Sequence, residues 1–213
     1  MHGLVAGFEF IMRGGFMMYP LLLAALVALT VIIERMYIFQ RQYRSSPNLV
    51  TQVLELVQAG KLKQAEQACQ DLDTPVASVL YSGIGHFENP VEEMELAMKN
   101  EAEQWVPRLE KRIEVIDTVI TAAPLMGLLG TITGMMASFR ILSEKGVNEP
   151  NAITGGVAEA LIATATGLVI ALICLMAYNY LSAKVKNFIY ELESVASRLL
   201  EARMASTRRN KKS

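Results

Sequence analysis

Glu159 stands at the edge of a membrane-length apolar run: from Ala160 to Ala183 there are 24 residues without a charge. A carboxylate there costs roughly 3 kcal/mol or more near a bilayer centre, so it is tolerated facing protein or a water-filled path. Its chemistry is to take up and release a proton. The alternative is a buried glutamate that hydrogen-bonds a neighbouring helix. Thr131, Thr133, Thr164 and Thr166 lie in the same and the preceding apolar runs. At 1.5 Å per residue, Thr164 is about 18 Å from Ala152, Thr131 roughly as deep in its own run, and Glu159 about 10 Å in. Hydroxyls and a carboxylate at graded depth can hold waters and pass protons. A threonine in such a helix can equally bond its own backbone. Glu159 and Thr164 differ by five positions, about 140° around a helix, so one face cannot carry both.

The helices that carry these groups are built for close approach. Gly127, Gly130 and Gly134 recur at i, i+3 and i+7, and Gly156, Ala160, Ala163 and Gly167 share that kind of spacing. Each set makes a smooth face on which another helix packs. The spacing leaves open whether the partner helix belongs to the same chain or to another copy.

Three runs are long enough to span a bilayer as helices. They are Gly14–Ile33, Thr118–Phe139, and the run containing Glu159, starting near Ala152. Arg35, Arg41 and Arg44 follow the first, Arg108, Lys111 and Arg112 precede the second, and Lys184 and Lys186 follow the third. The segment Ser143–Asn151 carries only Lys145, and the first 13 residues only Arg13. The positive-inside rule therefore predicts an N-terminus outside, with the middle segment and C-terminus in the cytoplasm. No basic leader with a small-residue cleavage site is expected at the start.

Composition agrees with a membrane protein carrying a modest polar part: 213 residues, 52% hydrophobic, 19% charged, net charge -1. That balance gives no footprint for nucleic acid. The basic cluster Arg208, Arg209, Lys211 and Lys212 is either solvated or in touch with anionic lipid. Cys69 and Cys174 lie in a polar and an apolar region, so no disulfide is expected, and no metal-ligand spacing exists. His2 and His86 are isolated. No nucleophile–base pair or phosphate loop points to an enzyme, and no cofactor is called for.

The middle segment reads as helical. Leu49, Val53, Leu56 and Val57 recur at helix spacing up to Gly60, and Lys61–Gln70 makes a second short helix. Asp73-Thr74-Pro75 and Asn89-Pro90 are helix starts, the latter with Glu92 and Glu93 favoured by the helix dipole. The helix beginning at Pro90 is expected to run into the second span, kinked at Pro107.

The run from Ala123 to Phe139, with Pro124 and Gly127-Leu128-Leu129-Gly130-Thr131, is followed by Gly155-Gly156-Val157-Ala158-Glu159-Ala160-Leu161-Ile162-Ala163-Thr164-Ala165-Thr166-Gly167-Leu168. Together they resemble the MotA/TolQ/ExbB proton-channel family. Three spans with a large cytoplasmic segment look like its ExbB and TolQ branch; the MotA branch has four spans. The resemblance implies a pentamer around helices of an ExbD-like or TolR-like single-span partner that bears a membrane aspartate. It implies proton flow that drives a periplasm-spanning TonB-like or TolA-like protein. Thr131, Thr164 and Glu159 match the family's pore threonines and its glutamate. Thr133 departs from the bulkier residue often found there.

The expected protein is thus all-α and multi-pass, in a bacterial inner membrane, with an oligomeric central pore. Its segments are an N-terminal end and first span (1–39), a cytoplasmic helical region (40–117), a second span (118–142) and a periplasmic loop (143–151). A third span (152–183) and a cytoplasmic C-terminal helix with basic tail (184–213) complete it. A scaffold that anchors a partner without ion flow is the competing function. A permease would show repeats or broken helices in two halves, and this chain has neither.

Overall fold

The computed structural model describes residues 14–41, 47–70, 72–145 and 150–210. The side chains of the basic tail and the loop around 146–149 lie outside the described residues. The described residues form helices without strands: α1 (Met18–Arg41), α2 (Pro47–Gln58), α3 (Leu62–Gln70), α4 (Pro75–Gly85), α5 (Val91–Glu110), α6 (Ile113–Lys145) and α7 (Pro150–Asn210). The stretches long and apolar enough to cross a membrane are Met18–Gln40 of α1, Ile113–Glu144 of α6 and a part of Thr154–Thr207 of α7. The third apolar run and the polar segment after Ala183 belong to one uninterrupted helix.

The chain divides into two compact units. The first comprises Met1–Arg35 and Arg112–Leu181. It buries Met18, Leu21, Ala28 and Val31 of α1, Ile116, Val119 and Ala123 of α6, and Ala160, Ala163, Ala171 and Cys174 of α7. Its larger apolar side chains point the other way: Leu23, Leu26, Ile33, Leu125, Leu128, Phe139, Leu161, Leu168, Leu172 and Met176 are all exposed. Small residues line the α6–α7 contact, a few larger ones such as Met18, Leu21 and Ile116 fill the rest of the interior, and many large apolar side chains face outward, the arrangement of helices solvated by lipid, where the tails are as apolar as leucine. A water-soluble domain would not expose so continuous an apolar surface.

The second unit comprises Met36–Lys111 and Ser182–Ser213. Here the pattern is that of a domain in water. Val185, Phe188, Leu192, Val195, Leu199 and Ala202 of α7 are buried at alternating three- and four-residue steps, together with Met94, Met98, Trp105 and Leu109 of α5. A β-carbon at Gly83 of α4 would stand 2.6 Å from both Leu199 Cδ2 and Met98 Sδ, so this glycine lets α4 approach both helices. Thr74 caps α4, its Oγ1 accepting from the Ala77 amide at 3.3 Å, with Pro75 in the first turn. Asn89 Nδ2 donates to Glu93 at the start of α5. Arg203 donates to the Asn89 carbonyl and lies 5.9 Å from the Phe87 ring, tying the α4–α5 turn to α7. Gly60, with φ +74, ends α2 as a left-handed stop.

One sequence expectation is corrected. The helix from Pro90 does not run into the second span. Pro107 sits inside α5, and the break comes at Lys111 and Arg112. Lys111 turns to ψ 130 and Arg112 takes φ 64, a left-handed conformation uncommon for a residue with a side chain. Arg112 Nη1 meets both carboxylate oxygens of Glu34 on α1 at 2.5 Å. The helix ends where this ion pair takes hold of the chain.

Candidate intramembrane site

In the first unit α6 and α7 run antiparallel along their small residues. A β-carbon at Gly127 would stand 3.0 Å from the Ala163 carbonyl oxygen and the Thr164 Cα. At Gly130 it would meet Ala163 Cβ at 2.6 Å, and at Gly134 the Gly156 carbonyl oxygen at 2.9 Å and Ala160 Cβ at 3.2 Å. At Gly167 it would lie 2.5 Å from the Ala123 carbonyl oxygen. At these glycines backbone meets backbone or an alanine methyl, an approach so close that even an added β-carbon is crowded. The four glycines, with Gly156, Ala160 and Ala163, form one seam between these two helices of the same chain.

The polar groups are placed by that seam. Thr164 Oγ1 donates across it to the Gly127 carbonyl at 3.1 Å, a hydroxyl bond from one helix to the other. Thr131 Oγ1 donates to its own helix, to the Leu128 carbonyl at 2.6 Å. Thr133 does likewise to Leu129 and Gly130, and Thr166 to Ile162. Such bonds satisfy a hydroxyl within an apolar helix and leave its oxygen a further lone pair. The antiparallel register sets Thr131 opposite Ala160–Ile162, within about one helical turn of the level of Glu159. Thr164 lies deeper along α7.

Glu159 is partly exposed. Its carboxylate lies against Gly15, in the turn that starts α1: a β-carbon built on Gly15 would overlap Glu159 Oε1. The same turn is gripped from both sides. A β-carbon at Gly14 would meet Ile162 Cγ2 of α7 at 3.2 Å, and one at Gly130 of α6 would meet Met17 Cβ at 3.4 Å. The site therefore has three walls, from the start of α1, the latter half of α6 and the early part of α7.

Two members of this arrangement escape a reading of spacing alone. Gly15, beside Gly14 at the head of an apolar run, carries a turn signal but nothing in the sequence says what fills its missing side chain. Ser138 is buried, bonded to the Gly134 carbonyl at 3.1 Å, and its hydroxyl occupies the space a β-carbon of Gly156 would need. It extends the Gly127–Gly130–Gly134 spacing by one more turn, which is the signal that could have found it. Among the described residues, no group of His, Cys, Asp and Glu is placed to hold a metal ion.

Comparison with known proteins bears on these helices directly. Residues 71–194 match the MotA/TolQ/ExbB proton channel family, a stretch that contains the seam, both pore-candidate threonines and Glu159. A Synechocystis protein named as biopolymer transport protein ExbB-like 3 is 34% identical over 170 residues, covering 79% of this chain and 81% of that one. The biopolymer transport protein ExbB of Aquifex aeolicus is 41% identical over 92 residues, 43% of this chain and 62% of that one. The Tol-Pal system protein TolQ of Haemophilus influenzae is 40% identical over 112 residues, 49% of this chain and 47% of that one.

Proposed function

The chain belongs to the MotA/TolQ/ExbB proton channel family, in its ExbB/TolQ branch, and from that premise we propose how it works as an energising membrane subunit. Copies of the chain assemble, as a pentamer, around the membrane helices of an ExbD-like or TolR-like partner with an intramembrane aspartate. Protons descend their gradient between the partner and the second and third spans. The work is delivered to a TonB-like or TolA-like protein across the periplasm. The N-terminus lies in the periplasm and the second unit in the cytoplasm of a bacterial cell, as the distribution of Arg and Lys supports. Residues 40–117 and 184–213 then form the cytoplasmic part, and 143–151 the periplasmic loop.

The observation that carries this is the α6–α7 pair. Two helices held backbone to backbone along a glycine–alanine seam offer a rigid wall, with hydroxyls and one carboxylate on it. Thr131, Thr164 and Glu159 are the residues proposed to line the proton path. One charge crossing 100 mV yields about 2.3 kcal/mol, so a sizeable mechanical step takes more than one proton. The wall must therefore cycle, and rigid helices with small titrating and hydroxyl groups are suited to that.

The test is co-purification of the chain with a co-expressed single-span protein of the ExbD or TolR type, native mass spectrometry of the product, and proton flux in liposomes. A pentamer with the partner inside and a flux that needs both proteins is expected. A monomer, or an assembly that conducts no protons, would leave the scaffold function in its place.

A further inference from the structure

Gly15 has no side chain, and the volume one would fill holds the carboxylate of Glu159. A β-carbon there would overlap Oε1 and come within 2.9 Å of Glu159 Cγ. Gly15 also has φ +72, the left-handed region, so its Cα presents toward α7 a direction that an L-residue adopts only with strain. The Gly15 carbonyl accepts from the Met18 amide at 3.1 Å, which begins α1. The turn is packed on both sides. Gly14 is against Ile162 of α7, and Met17 is against Gly130 of α6. A side chain at position 15 meets the flexible end of Glu159 first, so the glutamate is what gives way.

We propose that Gly15 is a positioning residue: the head of the first span is the seat of the Glu159 carboxylate and fixes where this intramembrane acid stands beside the α6–α7 seam. The first span is then part of the site, not merely an anchor. Filling the seat swings the carboxylate off the head of α1. A carboxyl group's readiness to ionise depends on the solvation and dipoles around it, and a displacement of about 1 Å at a reacting group is enough to cost on the order of a hundredfold in rate. The bearing on transport rests on Glu159 working in the proton path, as proposed above; the seat itself does not.

Three measurements on the full chain, in complex with its single-span partner, separate the two. The first is a double-mutant cycle on thermal stability. Gly15→Ala is expected to lower the melting temperature mainly through the φ strain, and by a smaller amount in a Glu159→Ala background, where the displaced carboxylate no longer contributes. Equal losses in both backgrounds overturn the seat. The second is the rate at which a hydrophobic carbodiimide modifies Glu159, read by mass spectrometry. Gly15→Ala should change it several-fold while leaving modification of Asp117 unaltered; an unchanged rate at Glu159 overturns the seat. The third is proton flux in liposomes, expected to fall tenfold or more, roughly, in Gly15→Ala. Altered carbodiimide reactivity with wild-type flux upholds the seat and removes Glu159 from the proton path. Should Gly15→Ala fail to assemble, recovery of assembly in the Gly15→Ala, Glu159→Ala double variant is expected, and no recovery overturns the proposal.

Discussion

Arg112 Nη1 lies 2.5 Å from both carboxylate oxygens of Glu34, and it does so from a backbone turned to φ 64. The two facts oppose each other energetically. The left-handed conformation costs roughly 1–2 kcal/mol in a residue with a Cβ. The ion pair is half exposed on the arginine side and a third on the glutamate side, so it returns only about 1 kcal/mol or less. Arg112→Gly removes both the strain and the pair, and its stability in detergent should stay within about 1 kcal/mol of wild type. Arg112→Ala keeps the strain and loses the pair, and should be the less stable of the two by denaturant unfolding. The opposite order would mean that the left-handed turn carries no strain; a loss well beyond about 1 kcal/mol in Arg112→Gly would mean that the pair, not the turn, dominates this junction.

Glu159→Gln keeps size and hydrogen bonding but cannot titrate. It should assemble as wild type and lose proton-coupled work, whereas Glu159→Asp should retain part of it. Flux in liposomes containing the partner decides: wild-type flux in the Gln variant takes Glu159 out of the path and leaves the partner's aspartate as the proton carrier.

Thr131→Ala and Thr164→Ala, singly or together, should impair transport-dependent growth with assembly intact. Stability changes little for a definite reason. The Thr131 hydroxyl bonds its own helix, and the Thr164 contact to Gly127 is one interhelical bond, worth about 0.6 kcal/mol in a membrane. Unimpaired growth of the double variant would exclude a pore role for both.

Alanine at two glycines should act with opposite signs. At Gly167 a β-carbon would be 2.5 Å from the Ala123 carbonyl oxygen, so Gly167→Ala should cost about 1–3 kcal/mol, read as a lower melting temperature in detergent. At Gly85, nothing lies within 4 Å of the added carbon. Gly85→Ala should be neutral or stabilise α4 by about 0.5–1 kcal/mol through helix preference.

A cysteine placed at position 145 should react with a membrane-impermeant maleimide from outside the cell, and one at position 63 only from inside. Native Cys69 should not confuse the result. Burial pushes its thiol from the ordinary 9.0 up to about 11, so its thiolate fraction at neutral pH is about a hundredfold lower than that of a free thiol. Its labelling should rise as pH is raised through that range. The reverse accessibility of 145 and 63 would invert the topology.

Much of the membrane part is legible from where charges are missing. The apolar runs mark α1, α6 and α7 because lipid admits no other uncharged segment of that length. Their ends are not legible in this way. α1 continues past Glu34 to Arg41, and α7 past Lys184 and Lys186 to Asn210, since a helix stops where its backbone is capped and not where charge begins. The break at Arg112 has no Gly or Pro to announce it; it depends on a partner 78 residues away. The seam was visible as spacing because glycine at helical intervals has one strong physical use. The seat of Glu159 was not, because a missing side chain does not say which distant group fills its place.

The α6–α7 seam is made of residues with no rotamers to lose. Gly127, Gly130, Gly134, Gly156, Ala160, Ala163 and Gly167 have no side-chain torsion to freeze, so closing the two helices together costs almost none of the 0.5–2 kcal/mol per residue, roughly, that larger side chains forfeit. The backbone freedom that glycine usually surrenders is already gone, because lipid forces every amide into its helix. Contact along the seam is thus dispersion gain, with the Thr164–Gly127 hydrogen bond added, and little side-chain entropy is set against it. A pair bound in that way should loosen little on warming, and mutations that add torsional freedom at the seam should be felt first as a steeper temperature dependence of the pair's separation.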